Sequence, residues 1–327
     1  MTPAEANRPR WRGGAGFFEI WFLVVFDPAA PRAWWFRWTT FAPRVGAPRG
    51  TIWAAAFEEG REAIFGKAFV PRAEIEVAVA ALGDGSCRGE VALDATPIAW
   101  DLRFEPATRV AARGPAWLGR LPAPTHVAHV HQEVVFAGTV RVGDREHVVA
   151  RARGAQKHIW GTRRVEELFW IYAPALDGGG AFEASSVRVK RGSGPALAPV
   201  WLHDGASEHA WWGVPAVFRN RVEPEGPGAL RLSAASTWAH VHGVARCDPR
   251  TLAGYVYRDP AGWDVHVAQS DVARIDLTLR TRSYPWSSWG APRRFTGRGA
   301  VELHHPEPLP GVRYVAWDDT VAKEVRA

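Results

Sequence analysis

Three polar residues, His129, His131 and Glu133, alternate with other residues along an apolar stretch. If this stretch is a β-strand, its period of two places all three side chains on one face. Two imidazoles and a carboxylate on one face can hold a divalent metal with open positions, so a metal-dependent enzyme stays an alternative. We favour the simpler interpretation of an ordinary polar strand face without a metal. In that interpretation, Glu133 is a candidate catalytic acid and His131 is a candidate ligand contact.

A second candidate is the glycine-flanked segment Gly154–Gly161, which contains His158 and Trp160. Histidine changes charge near neutral pH and can donate or accept a proton, and a neighbouring indole supplies an apolar wall. The purely structural interpretation is that Trp160 closes the end of a barrel while His158 hydrogen-bonds to the backbone. The segment nevertheless predicts His158 as the first candidate catalytic residue. The remaining acids considered as proton donors are Glu19, Glu166, Asp264 and Asp276.

The composition is unusual in its tryptophan content, with 18 tryptophans and a single methionine. Its stiff indole ring buries a large area and carries one N–H donor that needs a partner. These rings can fill a core, line a cavity, or do both on strands that are covered on two faces. The sequence predicts that Trp21, Trp160, Trp170 and Tyr172 line a site for an apolar small molecule.

Strand patterns dominate the elements that must position these residues. Short β-rich runs recur between Gly, Pro, Asp and Asn, for example at Ile20–Phe26, Ile75–Ala80 and Val127–Val142. Helical periodicity is scarce, and Ser270–Arg274 is one of two stretches that suggest a short helical turn. Many short strands with no strand–helix alternation predict an all-β fold of barrels or sandwiches rather than a parallel sheet.

The chain length of 327 residues suits two halves better than one small core. Glycine-rich stretches at Asp177–Gly180 and Arg191–Pro199 lie near the middle of the chain and favour a junction there. We therefore expect an N-terminal half at residues 11–176 and a C-terminal half at residues 177–327.

A short repeated tetrapeptide is consistent with two similar halves. The tetrapeptide Ala128–His131 recurs as Ala239–His242, with an offset of 239 − 128 = 111 residues. Both copies lie in strand-like runs. Four identical residues also arise by chance, so a repeated architecture and a coincidence both stay open.

The order of elements around Lys157-His158-Ile159-Trp160-Gly161 resembles the lipocalin-like superfamily of AttH-type proteins, carotenoid 1,2-hydratases, tocopherol cyclases and some fungal Diels–Alderases. Those proteins commonly carry Asp-His-x-Trp-Gly near the middle of the chain, and this sequence matches His, Trp and Gly but has Lys157 in place of the acid. The opening strand around Trp21 and the closing run Gly297–Leu303 are similar to strands of that superfamily. The resemblance covers most of the chain in order of elements, and only the His-x-Trp-Gly core is specific.

The resemblance implies two lipocalin-like (calycin) antiparallel β-barrel halves packed together, with a ligand inside or between them. A barrel of about eight strands can hold one small ligand. The chemistry implied is hydration, isomerisation or cyclisation of an apolar metabolite. Such chemistry needs a dry pocket, one acid and aromatic rings that stabilise a developing cation.

Other classes of partner and location are less favoured. The net charge of +6 comes mostly from scattered arginines, without the basic stripe and module that nucleic acid binding requires. No apolar run reaches the ~20 residues of a membrane helix. The apolar run after Arg12 resembles a signal peptide, but Glu19 interrupts it, so we favour a first strand and a cytoplasmic protein. Cys87 and Cys247 match no metal or redox spacing and are expected to be free thiols.

No phosphate-binding loop, dinucleotide fingerprint or Gly-x-Ser-x-Gly elbow is evident, so the sequence predicts no cofactor. It leaves two main functions open. One is an enzyme that converts a terpenoid, polyketide or lipid-like molecule by acid-assisted chemistry. The other is a non-catalytic carrier of such molecules. The sequence does not decide the substrate, the oligomeric state or whether the protein is an enzyme.

Overall fold

The computed structural model describes residues 2–92, 96–114 and 123–316, together with the backbone of 323–324. Within these residues the chain is predominantly β, as predicted, and forms two antiparallel sheets. The first half contains α1 (Pro3–Asn7), β1 (Phe17–Phe26), β2 (Arg32–Ala42), β3 (Arg49–Glu58), β4 (Ile64–Val70), α2 (Arg72–Gly83), β5 (Ser86–Val91), β6 (Ile98–Phe104), β7 (Thr125–Val142) and β8 (Arg145–Gly161).

The second half starts with four strands and a short helix, which are β9 (Glu167–Leu176), β10 (Ala181–Arg188), β11 (Val200–His203), β12 (Glu208–Trp211) and α3 (Ala216–Arg219). The remaining strands are β13 (Arg221–Gly226), β14 (Ala229–Ala235), β15 (Ala239–Arg246), β16 (Ala253–Arg258), β17 (Asp264–Thr281), β18 (Arg293–His305), β19 (Arg313–Val315) and β20 (Lys323–Glu324).

The first sheet has the order β4-β3-β2-β1-β8-β7-β6-β5, so its first and last long strands, β1 and β8, pair in the middle. Helix α2 joins the two end strands and packs Ile75, Val79 and Leu82 into the core of this barrel. The strand predicted at Ile75–Ala80 is therefore wrong. The apolar spacing of four and three residues fits a helix with one buried stripe, which six residues of β-rich composition concealed.

The β7–β8 hairpin turns at Gly143–Asp144, and Gly143 has the positive φ of 58° that this two-residue turn requires. At the other side of β8, Gly154 lies against β1. A Cβ atom at Gly154 would lie 1.9 Å from the carbonyl oxygen of Val24, so only glycine lets the two strands approach this closely.

The second sheet has the order β12-β11-β10-β9-β18-β17-β15-β14-β13, with β16 paired to β17. Both halves begin with a four-strand meander followed by a helix, and in both the closing strand returns to pair with the opening strand. The architecture is therefore repeated. The repeated tetrapeptide does not mark equivalent strands. Its first copy is on β7, which corresponds to β17 of the second sheet, whereas its second copy, Ala239–His242, is on β15.

Alternate residues of β1 belong to different cores, as expected of a strand covered on both faces. Trp21, Leu23 and Val25 point into the first barrel, whereas Phe18, Ile20 and their even-numbered successors face the second barrel. This second set packs with residues of β9, β16 and β18 to form a junction core between the two barrels. The two lipocalin-like halves are therefore packed together through an aromatic-rich layer.

The chain passes from the first sheet to the second between Gly161 and Glu167. The domain boundary at 176/177 stays a prediction, since a change of sheet does not test which part folds alone. Ser270–Arg274 is part of β17 and contains a bulge, so the short helix suggested there is wrong. Cys87 and Cys247 are both free thiols, as expected. No helix in the described residues is long and apolar enough to cross a membrane.

Candidate functional site

His158 lies inside the first barrel and is fully buried. Its Nε2 atom is 2.9 Å from Oε1 of Glu19, and its Nδ1 atom is 2.6 Å from the carbonyl oxygen of Ala6. The ring stacks on Trp21 with centroids 4.5 Å apart and contacts Trp160 at 4.7 Å. Both ring nitrogens therefore face acceptors, and the histidine is fixed by contacts on every side.

One partner of this histidine, Ala6, belongs to the N-terminal segment, residues 2–12, which covers this end of the first barrel. Glu19 accepts hydrogen bonds from the backbone N–H groups of Arg10, at 2.5 Å, and Trp11, at 3.1 Å. The indole N–H of Trp21 donates to the carbonyl of Asn7. Glu19 and His158 thus hold this segment in place, which matches the structural interpretation of the His-x-Trp-Gly motif.

The alternation of His129, His131 and Glu133 is broken by two register shifts in β7. Glu133 has a φ of 56°, which turns the chain between these residues. His131 points into the first barrel, where it accepts a hydrogen bond from the Ala107 N–H and burial lowers its pKa to about 4. His129 faces Glu183 of the second barrel instead. The three side chains do not share a face, and the described residues contain no cluster of potential metal ligands.

A buried ion pair joins the two barrels. Lys157, which neighbours His158 but points to the opposite face of β8, donates a hydrogen bond to Oε1 of Glu183 on β10. The same carboxylate oxygen accepts the indole N–H of Trp170 at 2.9 Å. The Lys157 ammonium lies 4.2 Å from the centroid of the Trp170 ring, a cation–π distance.

Further charges surround the other oxygen of Glu183. Nε of Arg113 and Nδ1 of His129 each lie 3.6 Å from Oε2, and Arg113 also bonds Glu133 at 2.8 Å. Burial alone would raise the pKa of Glu183, but the neighbouring positive charges outweigh it and lower that pKa to about 2. Burial lowers the pKa of His129 to about 3, so this histidine is neutral. Burial and nearby carboxylates hold the pKa of the Tyr172 phenol well above its usual value.

A second buried acid, Asp271, lies at the bulge of β17 on the same junction. Its Oδ1 accepts a hydrogen bond from Gln269 Nε2 at 2.8 Å. Burial, reinforced by the charge of Glu302, raises the pKa of Asp271 to about 8. At neutral pH Asp271 is therefore mostly a protonated carboxylic acid. Such a group can act as a proton donor in a dry site.

The polar groups of the second sheet that face the junction lie on two different cross-strand rows. In one row, Gln269 on β17 is opposite Glu302 on β18, which is opposite Trp170 on β9. In the other, Tyr172 on β9 is opposite Glu183 on β10. Lys157 contacts Glu183 from the first barrel.

Aromatic rings line the rest of the junction. Tyr255 contacts Trp35 at 5.0 Å and Trp53 at 5.6 Å between ring centroids. The buried guanidinium of Arg37 lies 4.1 Å from the Tyr257 ring centroid. Cations over aromatic faces and a carboxylic acid are thus enclosed in a largely apolar layer.

A separate cavity of about 470 Å³ opens beside β9, β10 and β13 in the second half. Phe169 and Phe218 provide apolar surface, while Glu167, Arg188 and Arg221 make its lining strongly charged. Arg188 already pairs with Glu167. This cavity differs in character from the aromatic-lined site that the sequence predicts.

The predicted site residues fall into three places. His158, Trp21 and Trp160 lie together in the first barrel. Trp170 and Tyr172 lie at the junction, and Glu133 reaches its edge through Arg113. His131 is apart from both groups. Their functional roles stay predictions.

Sequence reasoning did not single out Glu183, Asp271 or Glu302 as site residues. Each is an acidic residue inside a β-rich run, and an acid in such a run is the signal that could have found them. Lys157 was noticed only as a departure from a motif.

Comparisons with known proteins agree with this fold. No family model matches the sequence. Two uncharacterized proteins of Mycobacterium tuberculosis, MT0513 and Rv0493c, are each 29% identical over 188 residues, which is 53% of this chain and 54% of theirs. The chain therefore spans about half the length of the curated relatives it matches.

Three solved structures are similar over most of both chains. Kievitone hydratase from Nectria haematococca has a TM-score of 0.54 and 10% identity, covering 93% of this chain and 92% of its own. CghA has a TM-score of 0.53 and 11% identity over 94% and 96%. A candidate AttH from Nitrosomonas europaea has a TM-score of 0.52 and 14% identity over 88% and 91%. The chain has the AttH-like lipocalin fold, as the sequence resemblance implied.

Proposed function

We propose that this protein binds an apolar small molecule, of terpenoid, polyketide or lipid-like character, at the junction between its barrels and catalyses acid-assisted hydration, isomerisation or cyclisation there. The observation that carries the proposal is the set of buried polar atoms at the junction that have no hydrogen-bond partner among the described residues. These atoms include Asp271 Oδ2, Gln269 Oε1 and Tyr255 Oη. Buried polar atoms without a protein partner are commonly satisfied by water or by a ligand.

In this proposal, Asp271 is the acid. It would give its proton to a carbon–carbon double bond of the ligand and become a carboxylate. The rings of Trp170 and Tyr255 would stabilise the cation that forms. In a hydration, water adds to this cation and returns a proton to Asp271, whereas in an isomerisation or cyclisation the cation loses a proton directly to the Asp271 carboxylate.

Asp271 suits this role better than the acids that the sequence singled out. Both ring nitrogens of His158 are already bonded, and His158 lies in the first barrel beneath the N-terminal segment. Glu133 is ion-paired with Arg113. The acid roles of His158 and Glu133 stay predictions. The likeness to a protein named kievitone hydratase supports a catalytic function for this fold but does not identify the substrate.

A non-catalytic carrier is the second candidate, and one observation favours it. Lys157 stands where the resembling proteins have an acid, and its ammonium is tied to Glu183. Glu183, whose pKa is lowered to about 2, is a carboxylate and has no proton to donate at neutral pH. A carrier would need only the aromatic junction.

The first experiment is native mass spectrometry of the freshly purified chain, followed by solvent extraction and identification of any bound molecule. Retinol and palmitic acid then serve as probes in titrations that follow quenching of tryptophan fluorescence. A bound molecule or saturable quenching supports an apolar site. An empty protein that none of these probes quenches contradicts the proposal.

Turnover of the extracted molecule separates the two candidate functions. We expect product with the wild type and with Asp276→Asn, an exposed acid on the same strand, and none with Asp271→Asn. Binding without product in any variant would favour the carrier. Equal turnover by both variants would remove Asp271 from the mechanism.

A further inference from the structure

Four exposed aromatic side chains lie at one end of the second barrel, on two neighbouring strand connections. Trp286 is 83% exposed, Tyr284 59%, Trp238 51% and Trp289 38%. We name these four residues the aromatic tip. Phe69 is the only other aromatic side chain of the described residues that is exposed to this degree. Single exposed apolar residues are ordinary, but a cluster of large rings marks an interaction surface.

The two connections are fastened to each other. The N–H of Arg282 donates to the carbonyl of Trp238 at 3.0 Å, and the Arg282 guanidinium lies 4.6 Å from the Trp289 ring centroid. Tyr284 and Trp286 stack at 5.7 Å, and the turn between them is closed by Ser287, whose N–H donates to the Tyr284 carbonyl. The rings are therefore presented outward by a hydrogen-bonded loop, not collapsed onto the barrel.

The chain segment that carries three of the four rings of the aromatic tip is basic. Residues 277–295 contain four arginines, at positions 280, 282, 293 and 294, and no aspartate or glutamate. Arg293 is neutralised by Asp204. Arg280 and Arg294 form no ion pair within the part of the chain that the structure describes. Nearby, His240 is opposite Arg280 across the β15–β17 ladder.

We propose that the aromatic tip binds the surface of an anionic lipid bilayer. Tryptophan and tyrosine prefer the boundary between lipid and water because an apolar ring and a polar N–H or O–H occupy the two sides of it. Arginines beside them complement anionic headgroups. The rings stand on protruding connections, which suits shallow insertion into a bilayer better than contact with a flat protein surface.

This inference goes beyond the proposed function and does not depend on it. The two are compatible, since apolar molecules partition into membranes and a docked protein would meet them there. Binding to a bilayer needs no turnover, so its test is separate from the search for a substrate.

The experiment is flotation of the full chain with two kinds of vesicle. One is made of phosphatidylcholine alone, and in the other about 30% of the lipid is anionic phosphatidylglycerol. We expect the chain to bind the anionic vesicles and its tryptophan fluorescence to shift to the blue. Added salt should weaken this binding. The double variant Tyr284→Ser/Trp286→Ser should lose binding by about tenfold or more. Arg280→Gln and Arg294→Gln should each weaken it about fivefold.

The matched controls are Val148→Ser and Arg145→Gln, exposed residues of the β7–β8 hairpin, which should bind like the wild type. Circular dichroism and thermal melting check that the tip variants fold. No binding to either vesicle overturns the proposal, as does equal binding by the tip variants and the controls. A wild-type dimer that the tip variants abolish, without vesicle binding, would instead assign this surface to a second copy of the chain.

Discussion

Lys157 of the first barrel and Glu183 of the second form an ion pair in which both side chains are almost completely buried. A buried pair contributes little net stability when it replaces apolar residues, but removing one partner leaves an uncompensated charge. Because the pair connects the two barrels, substitutions of its two residues test how the barrels are joined.

We expect Glu183→Gln to lower the free energy of unfolding by about 3 to 5 kcal/mol, because Lys157 then stays buried without a countercharge. Urea unfolding followed by tryptophan fluorescence measures the change. The double variant Lys157→Met/Glu183→Gln should recover most of the loss. If the double variant is as unstable as the single one, the charge is not the cause. Glu223→Gln, at an exposed site, serves as the control.

Asp271 should make stability fall as the pH rises. Its pKa of about 8 in the folded protein exceeds the usual value near 3.8, so the folded state binds the proton more tightly than the unfolded state. The contribution of Asp271 to the free energy of unfolding is therefore fully present below pH 4, and it is lost as the pH rises through 8. Asp271→Asn keeps the shape and removes the titration.

We expect Asp271→Asn to match the wild type near pH 4 and to exceed it at pH 8 by about 2 to 5 kcal/mol. Chemical unfolding at several pH values provides the measurement, and the difference between the unfolding free energies of variant and wild type cancels the contributions of other groups. Asp276→Asn should show no such difference. Parallel curves for Asp271→Asn and the wild type would mean that Asp271 is ionised in the folded protein.

The N-terminal segment depends on Glu19. Its carboxylate accepts the backbone N–H groups of Arg10 and Trp11 and contacts His158, and a glutamine offers only one acceptor oxygen. We expect Glu19→Gln to speed amide exchange at residues 10 and 11 by about tenfold, a loss of about 1.4 kcal/mol in local stability. Hydrogen exchange with mass spectrometry detects it. Glu90→Gln, at an exposed carboxylate, is the control, and equal exchange in the two variants would contradict the expectation.

Much of the fold was predictable because strand patterns are local. The alternating runs, the turn at Gly143–Asp144 and the covered first strand all follow from residues close together in sequence. Helix α2 was missed because Ile75, Val77 and Val79 alternate with other residues in Ile75–Ala80, and alternating β-branched residues favour a strand. The repeated tetrapeptide at Ala128–His131 and Ala239–His242 suggested a repeat that the topology contains, but its two copies lie on β7 and β15, which are not equivalent strands.

By itself, the sequence determined a predominantly β protein rich in aromatic rings, for which local periodicity and turn chemistry suffice. Its resemblance to the AttH-type lipocalins implied two barrel halves. Only the tertiary structure decided which polar groups meet. His158 and Lys157 are adjacent in sequence yet face different cores, because neighbours on a strand point to opposite sides. Lys157 meets Glu183 only when the two barrels pack, since pairing between elements depends on contacts that no local pattern encodes.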